Sequence, residues 1–222
     1  SRETIGTDTS WQVSGDGPIR EADLIMGEAY DARREDAGWC SAGPASAGGG
    51  PAASPWVWEP AIRAEDNGST KALFSDTLGS REVELGFQRP PRLQFYAAPP
   101  IRVTQALPAR RRTEPEPGVF IFDFGQNFAG VVRIGVKGPA GVTVRLRFGE
   151  MLHADGRLMT ENLRRARATD FYTLRGDPQG ETWQPRFTYH GFQYVEVTGL
   201  AEAPGLDAVT GLVLHNDTPL AG

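Results

Sequence analysis

The chain has 222 residues, 39% hydrophobic and 23% charged, enough for one large or two modest packed domains. Its formal net charge of −5 gives no footing for nucleic-acid binding. A lone cysteine, Cys40, excludes an internal disulfide, and no apolar run approaches the ~20 residues of a membrane span. Ser1-Arg-Glu-Thr4 does not read as a signal peptide, so a cytoplasmic and a secreted setting both stay open.

In chain order, Ala22–Tyr30 is the first strand expected. Ser41–Pro55, built from Ala, Gly, Ser and Pro, reads as a long glycine-rich loop that buries too little apolar surface to order itself. Arg81–Phe87, Leu93–Tyr96 and Ile101–Ala106 follow as strands. Residues 108–118 mix Pro, Arg and Glu and read as a linker, with Arg110–Arg112 a solvated basic run.

The second half is more regular. Val119–Phe124 and Val131–Val136 are apolar strand candidates. In Val142-Thr-Val-Arg-Leu-Arg-Phe148 the apolar residues alternate with Thr143, Arg145 and Arg147, which places the arginines on the water side of a sheet. Gly138-Pro-Ala-Gly141 is a turn, so 131–136 and 142–148 are expected to pair as a hairpin. Met151–Arg167 breaks the alternation and reads as a long excursion with one helical turn near Glu161. Asp170–Leu174, Arg186–Tyr189, Phe192–Thr198 and Val209–His215 complete the strands. The expected fold is all-β: two sandwich or jelly-roll-like domains with little helix, the first incomplete. The expected division is 1–107, linker 108–118, and 119–222.

Candidate chemistry is sparse. Gly48-Gly-Gly50 lacks a following Lys-Ser/Thr, and His153, His190 and His215 are too scattered in sequence for a zinc motif. Asp31 and Arg33 would share one face of a strand, as a structural pair or as a sugar or cation contact. Trp56 and Trp58, with Trp39, could stack on a sugar or fill a core. Asp123, Gln126 and Asn127 lie among aromatics in Phe122-Asp-Phe-Gly-Gln-Asn-Phe-Ala-Gly130, a pattern that fits a pocket lining or a bulge.

Several segments resemble the bacterial α-L-rhamnosidases. Asp123-Phe-Gly-Gln-Asn-Phe-Ala-Gly130, Gly138-Pro-Ala-Gly141, Arg147-Phe-Gly-Glu150, Thr160-Glu-Asn-Leu-Arg164, Ala168-Thr-Asp-Phe-Tyr172 and Phe187-Thr-Tyr-His-Gly-Phe-Gln-Tyr-Val-Glu-Val197 are similar, in order, to that family's β-sandwich domain. Thr7-Asp-Thr-Ser-Trp11, Gly17-Pro-Ile19 and Gly27-Glu-Ala-Tyr-Asp-Ala-Arg33 resemble the later half of its N-terminal sandwich. Gln193 departs from the family, where an arginine is commoner, and Ser41–Pro55 is longer than the usual connection.

The resemblance implies hydrolysis of terminal α-L-rhamnose by inversion, on carboxylates of an (α/α)6 barrel expected to begin after Gly222. No catalytic residue is therefore expected here, and the chain alone is expected to be inactive. The barrel is the expected partner, with Glu161, Asn162 and Arg164 as contact candidates and rhamnose-containing glycosides as substrates of the whole enzyme. The alternatives are an L-rhamnose-binding module using Asp31, Arg33, Trp56 and Trp58, and an assembly or adhesion sandwich. Related N-terminal modules suggest Ca2+, for which Asp31 is a weak ligand because Ala32 follows it.

Overall fold

The computed structural model describes residues 16–35, 99–216 and 218, together with the backbone of four short strands elsewhere. In chain order β1 (Gln12–Val13) precedes β2 (Ile19–Asp23), β3 (Gly27–Asp31), β4 (Glu59–Pro60), β5 (Lys71–Phe74) and β6 (Arg81–Glu84). Next come β7 (Ile101–Pro108), β8 (Arg111–Glu116), β9 (Val119–Val136), β10 (Thr143–Gly149) and the two-residue β11 (Met151–Leu152) and β12 (Leu158–Met159). The last strands are β13 (Thr169–Thr173), β14 (Glu181–Trp183), β15 (His190–Thr198) and β16 (Val209–Asn216). The fold is all-β, and the described helices are three-residue 3-10 turns such as Glu161–Leu163.

Two compact units divide the chain. One takes Ser1–Asp16 and Asp36–Ala97, the other Gly17–Glu35 and Ala98–Gly222. In the first, β1 pairs antiparallel with β4, and β5 with β6. In the second, ten strands form one curled sheet. Along its main path β2, β3, β13, β10, β15, β9, β16 and β7 are successive neighbours.

Strand β9 is the spine, because 18 residues give it room for several partners. Phe120–Asp123 pair with Val197–Tyr194 of β15 on one edge, and Asp123 to Ile121 pair with Arg111 to Thr113 of β8 on the other. Further on, Val131–Ile134 pair with Leu212–Val209 of β16, and Ile134–Val136 with β14. A bend separates these stretches. Gly125 has φ +75°, and Asp123 Oδ1 accepts its N–H at 2.7 Å. Opposite, the register slips at Gln193, whose Nε2 donates to the same Asp123 oxygen at 3.0 Å. The polar trio thus marks a bulge, and Asn127 Nδ2 donates to Glu150 Oε1 at 2.8 Å.

Five expectations are corrected. Residues 108–118 are not a linker, since β8 pairs within the sheet: its polar composition suits a rim strand. Segment 22–30 is a hairpin whose Leu24–Met26 turn is held by Asp23 Oδ1, which accepts the N–H groups of Ile25 and Met26 at 2.7 and 2.8 Å. That hairpin belongs with 98–222, which breaks the 1–107 boundary. Segments 131–136 and 142–148 form no hairpin, because β15 lies between β9 and β10 and pairs with both. Arg186–Tyr189 is a loop, and β15 starts at His190. Ser41–Pro55, Leu93–Tyr96, Cys40 and Trp39 lie outside the described residues.

The core is aromatic. Phe192 is fully buried, with ring centroids of Phe128, Phe148 and Phe124 at 4.4, 4.9 and 5.7 Å. Burying each such ring contributes about 1.5–3 kcal/mol. Val144, Leu146 and Phe148 of β10 are all fully buried, as their alternation predicts.

Candidate functional site

The same alternation sends Arg145 and Arg147 to the opposite face of β10. There Arg145 Nη2 and Arg147 Nη1 both donate to Glu196 Oε1 of β15, at 3.2 and 3.1 Å. Glu196 is only 5% exposed, whereas the arginine side chains keep part of their surface in water. One carboxylate therefore holds two guanidinium groups side by side.

The Met151–Arg167 excursion folds over this face. Strands β11 and β12 pair as a minimal hairpin, closed by His153 N–H donating to Arg157 O at 2.8 Å. Arg147 Nη2 donates to Thr160 Oγ1 at 3.1 Å, fastening the excursion to β10. A cleft of 390 Å³ results, lined in part by Arg145, Arg147, His153, Arg157, Glu161 and Glu196. Two of its lining side chains already have partners: Arg157 meets Asp155 at 2.8 Å, and His153 Nε2 lies 3.3 Å from Glu161 Oε1.

The Glu161 carboxyl is held below its ordinary value by backbone N–H donors, its own and that of Thr160. That shift is opposite to the one a proton-donating glycosidase acid needs. Glu196 Oε1 is occupied by both guanidinium groups. The arrangement braces the excursion against β10.

The other expected site residues are elsewhere. Asn162 and Arg164 are exposed on the turn after Thr160, and neither lines the cleft. Asp31 ends β3 beside Thr173, whereas Arg147 sits beside Thr169 at the other end of β13. Asp31 receives the Arg33 guanidinium on both oxygens, at 2.9 and 2.8 Å, and the Arg33 N–H at 3.1 Å. Arg34 Nε lies 3.4 Å from it. These bonds, Arg33 foremost, hold the Asp31 carboxyl below its ordinary value. Two adjoining cations and no free oxygen do not fit a calcium ligand. Among the described residues, no three His, Cys, Asp or Glu side chains are placed to hold a metal. Trp56 and Trp58 lie outside the described residues.

Sequence reasoning missed Glu196 and Asp170 as buried charged groups, and it met Glu28 and His190 without their partners. A charged residue between Val195 and Val197 was the available signal for Glu196. Assigning its partners required the β10–β15 register.

Residues 113–215 match the model of the bacterial alpha-L-rhamnosidase concanavalin-like domain, and residues 1–69 that of the alpha-L-rhamnosidase N-terminal domain. An alpha-L-rhamnosidase of Streptomyces avermitilis is 43% identical over 98% of this chain, which spans 18% of that protein. One from Alteromonas sp. is 33% identical over 97% of the chain and 20% of its own length. The crystal structure of the Streptomyces avermitilis enzyme complexed with L-rhamnose superposes with TM-score 0.70, covering 91% of this chain and 17% of that one. The structure from Dictyoglumus thermophilum gives TM-score 0.71 at 35% identity, covering 96% of this chain and 20% of that one. The chain thus spans about a fifth of the length of these relatives. With both of the family's β-domain models matched in order, the chain belongs to the bacterial alpha-L-rhamnosidases.

Proposed function

We propose that this chain is a non-catalytic β-domain portion of an α-L-rhamnosidase, an enzyme that removes terminal α-L-rhamnose from glycosides by inversion. One observation carries the reading: the similarity runs through 98% of the chain yet takes in only 18% of the Streptomyces relative. The direction of the Glu161 shift supports it, because it disfavours the protonated form that a glycosidase acid must carry. The work of the domain is support for an (α/α)6 catalytic barrel. The exposed side chains of Asn162 and Arg164 are the proposed contacts, with Glu161 turned instead to His153.

The test is turnover of 4-nitrophenyl α-L-rhamnoside by the purified chain. No release of nitrophenol is expected. Release above the rate of a heat-inactivated sample overturns the reading.

A second reading, binding of L-rhamnose by the chain itself, is favoured by the L-rhamnose bound in the 43% identical Streptomyces structure. Calorimetric titration with L-rhamnose decides it: heat that saturates supports the binding module, and no heat rejects it.

A further inference from the structure

Three ionisable side chains lie out of water on strands β3, β13 and β15, away from the outer cleft. Asp170 of β13 is fully buried, Glu28 of β3 is 1% exposed and His190 of β15 is 5% exposed. Asp170 Oδ1 accepts the Glu28 N–H at 2.9 Å and lies 3.0 Å from His190 Nε2. Its Oδ2 is buried as well and has no protein partner. Glu28 Oε2 in turn accepts the N–H groups of Arg186 and Phe187, at 2.9 and 2.8 Å. Each carboxylate thus holds backbone from the other side of the seam: Asp170 holds the β2–β3 hairpin, and Glu28 holds the loop before β15.

The seam is geometrically exacting. Ala168 and Thr169 donate their N–H groups to Ile25 O and Met26 O, at 3.1 and 3.0 Å. Gly27, at φ +113°, passes so close that a Cβ would sit 2.1 Å from Thr169 O. His190 is stacked on Phe148 at 4.1 Å, so the imidazole cannot swing toward Glu28. The imidazole reaches one of the two carboxyls, Asp170. The other carboxylate has only amide dipoles, and a charge so placed is costly.

We propose that Glu28, Asp170 and His190 form a proton-operated latch. The β2–β3 hairpin seats firmly on β13 while Glu28 is uncharged, and it loosens when Glu28 ionises beside Asp170. Burial pushes the Glu28 carboxyl above its ordinary value; the Arg186 and Phe187 amides oppose this, the Asp170 charge adds to it, and the Arg186 charge again opposes it. Tyr30, Glu35 and Arg133 line the adjoining 260 Å³ pocket with Glu28. Glu35 is tied up there by the Tyr30 hydroxyl at 2.9 Å and by Arg175 at 2.7 Å. A raised carboxyl contributes its stability below the ordinary value of 4.5 and loses it as pH rises through the folded value. Each unit of that rise weakens docking about tenfold on the alkaline side.

Hydrogen exchange of the full chain between about pH 5 and 8, corrected for intrinsic exchange, tests this. Protection of residues 19–31, 186 and 187 is expected to fall as pH rises, with β16 unchanged. Glu28→Gln keeps an acceptor for both amides and is expected to flatten the dependence. A wild-type profile without pH dependence, or an equal fall in Glu28→Gln, overturns the latch. A carboxyl 13C titration of Glu28 in the wild-type chain serves if that variant does not fold. Its midpoint is expected above 4.5 and coincident with the loss of protection, and a midpoint at or below 4.5 overturns the proposal.

Discussion

The outer face of β10 and the seam between β3 and β13 both hold carboxylates out of water, by opposite means. On the outer face Glu196 is held by two guanidinium groups whose side chains keep part of their surface in solvent. In the seam, Asp170 Oδ1 and Glu28 Oε2 meet backbone amides and one imidazole, and both side chains are buried. Charge matched at a surface tolerates rearrangement, and added salt weakens it. Charge matched by fixed backbone dipoles does not rearrange, so it responds to protonation and to single-atom changes.

Asp170→Ala should break this contrast most severely. It leaves the Glu28 N–H and His190 unsatisfied in the interior, at a cost of about 3–5 kcal/mol. Urea unfolding at neutral pH checks it, and a loss near that of a surface substitution would put the seam on a par with the outer face. Glu196→Ala comes next, at about 1 kcal/mol once the exposure of both arginines is discounted. A double-mutant cycle with Arg147→Ala, repeated in molar salt, should show coupling that shrinks with ionic strength. Arg33→Ala is expected to have the smallest effect, because the Arg33 side chain is half exposed. The Asp31 carboxyl is depressed, so its contribution is present above the ordinary value of 3.8 and lost as pH falls. Acid titration should therefore show Arg33→Ala slightly less stable than wild type above that value, with the difference closing as pH falls.

Strand character was legible wherever alternation was local. Val144, Leu146 and Phe148 point inward as their spacing requires. Pairing was not legible, because β15 inserts between segments that look like neighbours along the chain. Arg186–Tyr189 imitates a strand, yet Phe187 and Tyr189 are 56% and 52% exposed while Thr188 is buried. The amides of Arg186 and Phe187 go to Glu28, more than 150 positions earlier. The spacing of Asp31 and Arg33 correctly suggested a pair. Its form, a carboxylate that also accepts the Arg33 N–H at the start of a 3-10 turn, depends on where β3 ends. The barrel-contact candidates were chosen as a departure from alternation, which locates a loop but does not say which side chains turn inward.

Strand β3 runs parallel to β13, the sole parallel pairing among the described strands. Glu28 meets Asp170 across 142 positions of sequence. During synthesis, residues 17–35 therefore leave the ribosome long before the strand that receives them exists. Their own β2–β3 ribbon can form at once, since its contacts are local. Its final berth opens only after Thr169–Thr173 is made, so the sheet edge closes late and a nascent chain arrested before that point carries an unseated ribbon.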